Sequence, residues 1–213
     1  KLSGIVRQID EKTVTLALEE DHLLVTAPGA NFKLYTFDPE EYPPVAPGED
    51  GKKFTATAGL LKTMVQESAY AAAKETSRYA INGLHLEVKD KKILLVGTDG
   101  RRLVRATGTL PSKASDEITC IIPSKSVGMI EHLGDDADAP VEVTITESQA
   151  AFATAKILYV TNLVEGRFPN YEAVIPKDSE GKATIDRGKF LSAVRRAALM
   201  TSKESHSIKL SIA

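Results

Sequence analysis

Three runs near the start of the chain alternate apolar and polar positions: KTVTLALEE at 12–20, HLLVTAPG at 22–29 and NFKLYTF at 31–37. A period of two broken by turn residues predicts strands, so residues 1–38 read as β structure. The stretch DPEEYPPVAPGEDGKK at 38–53 then supplies four prolines and five acidic residues. That is the composition of a linker, and a domain boundary is expected there.

The period changes after the linker. Leu60, Leu61, Met64, Val65, Ser68, Ala69 and Ala72 recur at helical spacing, while Lys62, Thr63, Gln66 and Tyr70 fall off the stripe. This predicts an amphipathic helix that ends at KETS, 74–77. Alternation returns in YAINGLHLEVKD, KKILLVGTDGRRLVRATGTL, EITCIIP, PVEVTITES, QAAFATA and KILYVTNLV, all expected strands. Between them, SKSVGMIEHLG predicts a short helix with a serine cap and a terminal glycine. The last part, from KATID onward, reads as strand, helix, strand, with an apolar stripe of Phe190, Leu191, Val194, Ala197 and Ala198.

The two longer helical patterns are copies of one another. When Thr55 is set over Thr184, an offset of 129 residues, Leu61 meets Phe190, Val65 meets Val194 and Ala69 meets Ala198. Lys74-Glu75-Thr76 likewise meets Lys203-Glu204-Ser205. A period this long is that of a duplicated domain rather than a solenoid. The first copy holds two helices among about eight strands, and the second stops after its first helix and strand. The opening strands, followed by a linker, read as the back half of another copy. The chain begins with Lys and closes inside an alternating run, SIKLSIA, so a fragment is expected.

Composition narrows the function. Of 213 residues 42% are apolar, enough to build cores. No apolar run approaches the roughly 20 residues of a membrane span, and no signal-peptide pattern opens the chain. The single cysteine, Cys120, lies in a strand pattern and is expected to be a buried, reduced thiol, which fits a cytoplasmic protein. A net charge of −2 argues against a strongly basic nucleic-acid binder but does not exclude one, because a local basic surface is enough to attract phosphate. No metal-ligand spacing joins His22, His85, His132 and His206, and His85 reads as structural. No catalytic or nucleotide-binding motif is present. Asp99 could be a lone catalytic carboxylate, but Asp-Gly between two apolar runs reads as a hairpin turn.

The segment VEGRFPNYEAVIP at 164–176 has the Gly, Pro and Asn of a loop, yet carries Phe168, Tyr171, Val174 and Ile175. It reads as a packed connector, with Gly166 and Pro169 shaping the turn and Phe168 and Tyr171 pinning it down. Three stretches together resemble the bacterial DNA polymerase III beta-subunit family of sliding clamps. VGTDGRRLVRATG (96–108) is similar to that family's Ser/Thr-Asp-x-x-Arg-Leu hairpin. VEGRFPNYEAVIP is similar to its Asp/Glu-Gly-Arg-Phe-Pro segment, and SRYAINGLHLEV (77–88) to its Arg-x-x-Leu/Ile-x-Gly strand entry. The resemblance runs through nearly the whole chain, in matching order and spacing.

The resemblance implies an α+β clamp fold of repeated domains, each with two helices packed on two small antiparallel sheets. Residues 1–49 would be the C-terminal part of a first domain plus linker, 50–176 a complete second domain, and 177–213 the start of a third. It implies a non-catalytic processivity factor without cofactor or metal. Such a protein forms a head-to-tail dimeric ring around duplex DNA and tethers polymerase, clamp-loader and repair proteins through short peptides. Carried over residue by residue, DNA contacts fall on Arg78, Tyr79, Lys125, Arg195 and Arg196. Ser124 stands where some relatives have a second basic residue. The peptide pocket falls on Ile81, Thr98, Gly100, Arg101, Arg102, Leu103, Pro169, Ala173 and Val174, with Arg101 where many relatives have His and Ala173 where some have Arg. Without the resemblance, the residues also fit a duplicated α+β module that binds small ligands or builds a shell and has no DNA role.

Overall fold

The computed structural model describes residues 1–41, 50–73, 80–176, 181, 183–201 and 207–211. The chain divides into two compact units, Lys1–Pro169 and Asn170–Ala213. The first unit opens with a short helix, α1 (Leu2–Arg7), where β structure is expected. Its apolar residues, Leu2, Ile5 and Val6, fit helical spacing as well as they fit alternation, and a six-residue window does not separate the two. The three expected strands follow as β1 (Thr15–Glu19), β2 (His22–Ala27) and β3 (Ala30–Tyr35), an antiparallel sheet in that order. Leu18 and Tyr35, on opposite faces of it, are 70% and 79% exposed.

Residues 50–169 of the first unit are built twice over. β4 (Lys52–Thr57), α2 (Ala58–Ser68), β5 (Gly83–Lys89), β6 (Lys92–Thr98) and β7 (Leu103–Thr109) form one βαβββ half. β8 (Ile118–Pro123), α3 (Ser124–Ile130), β9 (Pro140–Ile145), β10 (Gln149–Ala153) and β11 (Leu158–Asn162) form the other. Eight strands and two helices are thus present among the described residues of this region, as the pattern predicts. The halves exchange their first strands. β4 pairs with β9, giving the sheet β11-β10-β9-β4, and β8 pairs with β5, giving β7-β6-β5-β8. All pairs are antiparallel, and the fold is α+β.

The inward residues of both sheets and the apolar faces of both helices make one core. It includes Phe54, Leu61, Met64, Leu86, Ile118, Val127, Val143 and Phe152. α2 buries Ala58, Leu61, Met64, Val65 and Ser68 and leaves Lys62, Thr63 and Gln66 exposed, as Tyr70 is just beyond it, matching the stripe read from its spacing. The Thr57 side chain accepts the Leu60 N–H at 3.2 Å and starts the helix. The α-helix ends at Ser68, earlier than expected. The Ser68 hydroxyl donates back to the Met64 carbonyl at 2.7 Å, and residues 69–71 tighten into a 3-10 turn. The expected KETS terminus lies outside the described residues. α3 also differs from expectation: Pro123 occupies the cap position, no side chain caps it, and Glu131 rather than a glycine ends it. Ser124 is instead tied to packing, its N–H donating to Asn82 O at 3.0 Å and its hydroxyl to Ala73 O at 3.4 Å.

In the second unit a 3-10 turn covers Tyr171–Val174 and α4 spans Arg187–Ala198. α2 and α4 begin at positions related by the sequence offset. The cap repeats too: the Asp186 carboxylate accepts the Lys189 N–H at 2.8 Å, as Thr57 does for Leu60. The strands expected on either side of α4 do not form among the described residues. A strand exists by pairing, and no described segment of this unit pairs with another. α4 buries none of its residues, and Phe190 and Leu191 are exposed. Among the described residues no helix is long and apolar enough to cross a membrane.

Candidate peptide and DNA interface

Five of the expected pocket positions sit on one hairpin. β6 ends at Thr98 and β7 starts at Leu103, its register partner, leaving a four-residue loop from Asp99 to Arg102. Its backbone is held from within. Thr98 Oγ1 donates to Arg102 O at 2.7 Å and accepts the Gly100 N–H at 3.1 Å. Asp99 Oδ1 accepts the N–H groups of Arg101 and Arg102 at 3.0 and 3.1 Å, and Asp99 Oδ2 takes Arg102 Nε at 3.0 Å. Gly100 has φ +85°, a region that favours glycine. Asp99 is therefore a turn organiser, as its Asp-Gly context predicts. The two backbone donors, Arg101's first, together with the Arg102 guanidinium, hold its carboxyl below the usual carboxylate range.

The hairpin is fastened to the helix side of the domain at its base. The Ala73 N–H is shared between the carbonyls of Ile81 and Thr98, at 3.0 and 3.2 Å. Gly97 lies so close to the end of α2 that a Cβ there would stand 2.5 Å from Ser68 O. Ile81 and Thr98 are buried, whereas Gly100, Arg101 and Arg102 are exposed and Leu103 is half-buried.

The connector after β11 is pinned to the same domain. The Val164 N–H donates to Ile121 O at 2.9 Å, and the Phe168 ring stacks on His85 at 4.7 Å with an interplanar angle of 11°. His85, structural as expected, also pairs with Glu87 at 2.8 Å. A groove of about 930 Å³ lies beside this stack, between β8, the β9–β10 turn and the connector. The hairpin residues do not line it. Pro169, half-buried, closes the first unit. Ala173 and Val174 belong to the second unit and are exposed, Val174 at 69%.

Of the expected DNA contacts, Arg78 and Tyr79 lie outside the described residues. Lys125 is exposed on the first turn of α3. Arg195 and Arg196 are exposed in the last turn of α4, where positive charge also complements the helix dipole, and Arg196 Nη1 donates to Ser192 Oγ at 2.8 Å. Among the described residues no group of three or more metal-binding side chains occurs. Cys120 is buried, and burial pushes its thiol up to about 12.

Comparison with known proteins decides the family. A model of the central domain of the DNA polymerase III beta subunit matches residues 56–170, and one of its N-terminal domain matches residues 1–46. The chain belongs to the DNA polymerase III beta-subunit family. Among curated beta-subunit relatives, the beta sliding clamp of Bacillus subtilis is 27% identical over 211 residues, covering 98% of this chain and 56% of that protein. That of Treponema pallidum is 28% identical over 214 residues, covering 100% and 57%. The chain thus spans little more than half the length of the curated relatives it matches. Solved beta-subunit structures share the fold. The Bacillus subtilis sliding clamp superposes with TM-score 0.85 at 25% identity over 95% of this chain and 54% of that one. A Pseudomonas aeruginosa clamp bound to griselimycin gives 0.83 at 26%, over 96% and 56%.

The sequence missed two features of this site. One is the His85–Phe168 stack, which joins residues far apart in the chain. The other is Arg105, two residues past Leu103 and exposed on the same strand. The period-two rule of strands places it on the Leu103 face, and that signal was available in the sequence.

Proposed function

We propose that this chain is the middle of a ring-forming sliding clamp, a cytoplasmic, non-catalytic processivity factor for the bacterial replicative polymerase. On this reading residues 1–49 complete a first clamp domain, 50–176 form the second and 177–213 begin the third. The observation that carries the proposal is the family match across the central domain, joined to a hairpin and connector that bear the family's motifs. Duplex DNA is held without sequence preference through the scattered cations Arg78, Lys125, Arg195 and Arg196, together with Tyr79. Long-range attraction to phosphate without fixed base contacts suits a ring that slides.

Partner proteins dock short linear peptides on Ile81, Thr98, Gly100, Arg101, Arg102, Leu103, Pro169, Ala173 and Val174. The griselimycin-bound relative supports a ligand site in this fold. Head-to-tail self-association of the full-length chain is what the family membership supports.

A loading assay with the full-length ring tests the function. Retention on circular DNA and rapid loss after linearisation is expected; equal retention on both would refute topological binding. Peptide titration with Leu103→Ala and Pro169→Ala tests the pocket, and both should weaken binding.

A further inference from the structure

We propose that His85 is a positioning residue for the peptide-docking surface: its ring seats Phe168 and thereby sets where Pro169 stands when a peptide arrives. This rests on the reading of the hairpin and connector as that surface and adds the group that holds the connector to it. The half-buried Phe168 lies flat on the buried His85 ring, with centroids 4.7 Å apart and an interplanar angle of 11°. The His85 ring is itself oriented, because its Nε2 hydrogen-bonds Glu87 Oε1 at 2.8 Å, from the next residue on the same face of β5. Phe168 passes its placement to its neighbour in the chain. A proline ring fixes its own φ and confines the residue before it to extended backbone. A fixed Phe168 ring therefore fixes the direction in which Pro169 leaves it.

One row of residues across the sheet joins this seat to the hairpin. His85 on β5 is the register partner of Val96 on β6 and of Ile121 on β8. Val96 lies two residues before Thr98, at the hairpin base. Ile121 O accepts the Val164 N–H at 2.9 Å, where the connector begins. Between Val164 and Phe168 the chain turns at Gly166, φ +114°, where a Cβ would stand 3.4 Å from Ala80 Cβ. Ala80 precedes Ile81, whose carbonyl shares the Ala73 N–H with that of Thr98. The connector thus meets β8, the entry to β5 and β5 itself, and the hairpin is built on that same strand. Of these three fastenings the His85 stack is the last before Pro169. It is also the one made by two side chains, so substitution removes it without altering the backbone.

The test uses the whole chain and one fluorescent peptide with a Gln and with Leu and Phe anchors, read by anisotropy. His85→Ala should weaken binding about three- to tenfold, the range open to an aromatic pair. His85→Phe keeps a flat ring and should recover most of the loss. Thr57→Ala lowers stability away from the connector and should leave affinity unchanged; urea denaturation gives the stability of each variant. With fluorophenylalanine incorporated, the fluorine resonance that Phe168→Leu removes should shift in His85→Ala and return in His85→Phe. Where His85→Ala does not fold, Phe168→Leu removes the half-buried partner of the stack and should weaken binding by a similar factor. Unchanged affinity in His85→Ala or Phe168→Leu, with Leu103→Ala and Pro169→Ala still weakening binding, overturns the positioning role and leaves the docking surface standing. Equal losses in His85→Ala and His85→Phe, or an equal loss in Thr57→Ala, also overturn it, because the stack then does not set the affinity. Failure of the unaltered chain to bind the peptide, or indifference to Leu103→Ala, overturns the docking surface and the role of His85 with it.

Discussion

Asp99 and Arg102 face each other across the tip of the β6–β7 hairpin, Oδ2 to Nε at 3.0 Å, while the other oxygen of Asp99 takes two backbone N–H groups. The loop is therefore set by one carboxylate, and its order is tied to that group's charge. The folded carboxyl titrates below its ordinary value, near 4 for aspartate. Its contribution is fully present above that value and is lost as pH falls through the lower, folded value. Amide shifts of Arg101 and Arg102 should stay constant from neutral pH down to about pH 5 and move together on further acidification. In Asp99→Asn that acid transition should be absent.

Gly97 is set by contact rather than by turn conformation. A methyl group there would meet Ser68 O at 2.5 Å and the Leu84 side chain at 3.0 Å, and one of the two is backbone. Gly97→Ala should lower unfolding free energy by about 1–3 kcal/mol, the usual range for overpacking. It should also weaken peptide binding, because Thr98 follows directly. Urea denaturation checks the first effect and anisotropy the second.

The caps at Thr57 and Asp186 give a paired prediction. Thr57→Ala should cost about 1 kcal/mol of stability, and Thr57→Asp should restore most of it. Asp186→Ala should reduce helicity at α4, where no buried face compensates for the lost cap. Denaturation reads the first and backbone NMR shifts of 187–198 the second.

Cys120 should behave as an inert thiol. With its pKa pushed up to about 12 by burial, it is protonated at pH 8, and it should react with a disulfide reagent only as fast as the domain opens. Full reactivity in denaturant and slow reaction in buffer are expected; rapid native reaction would show that the core around β8 is open.

The legible and the illegible parts of this molecule divide along physical lines. Strands and helices with a strong period were readable because burial repeats every two or 3.6 residues. The 129-residue repeat was readable because its core positions keep their type, and the shared caps at Thr57 and Asp186 agree with it. The inner duplication was not readable. α2 has 11 residues and α3 seven, so the halves share topology without sharing residues. The partner of each first strand, β4 with β9 and β8 with β5, was equally hidden, because alternation gives a strand its faces but not its neighbour. The hairpin was legible by its motif, and the role of Asp99 by its Asp-Gly context. The three hydrogen bonds that this carboxylate accepts, two from the backbone and one from Arg102, needed coordinates.

The exchanged first strands also make the central domain a lock of two mutually dependent pieces. A cut in the loop between β7 and β8 would leave each piece carrying a strand that belongs to the other's sheet and missing one of its own. Produced separately, residues 50–112 and 113–169 should each remain unfolded or aggregate; produced together, they should assemble and regain strand signal in circular dichroism. Independent folding of either piece would break this expectation. A domain joined in this way can be opened only by separating both sheets at once.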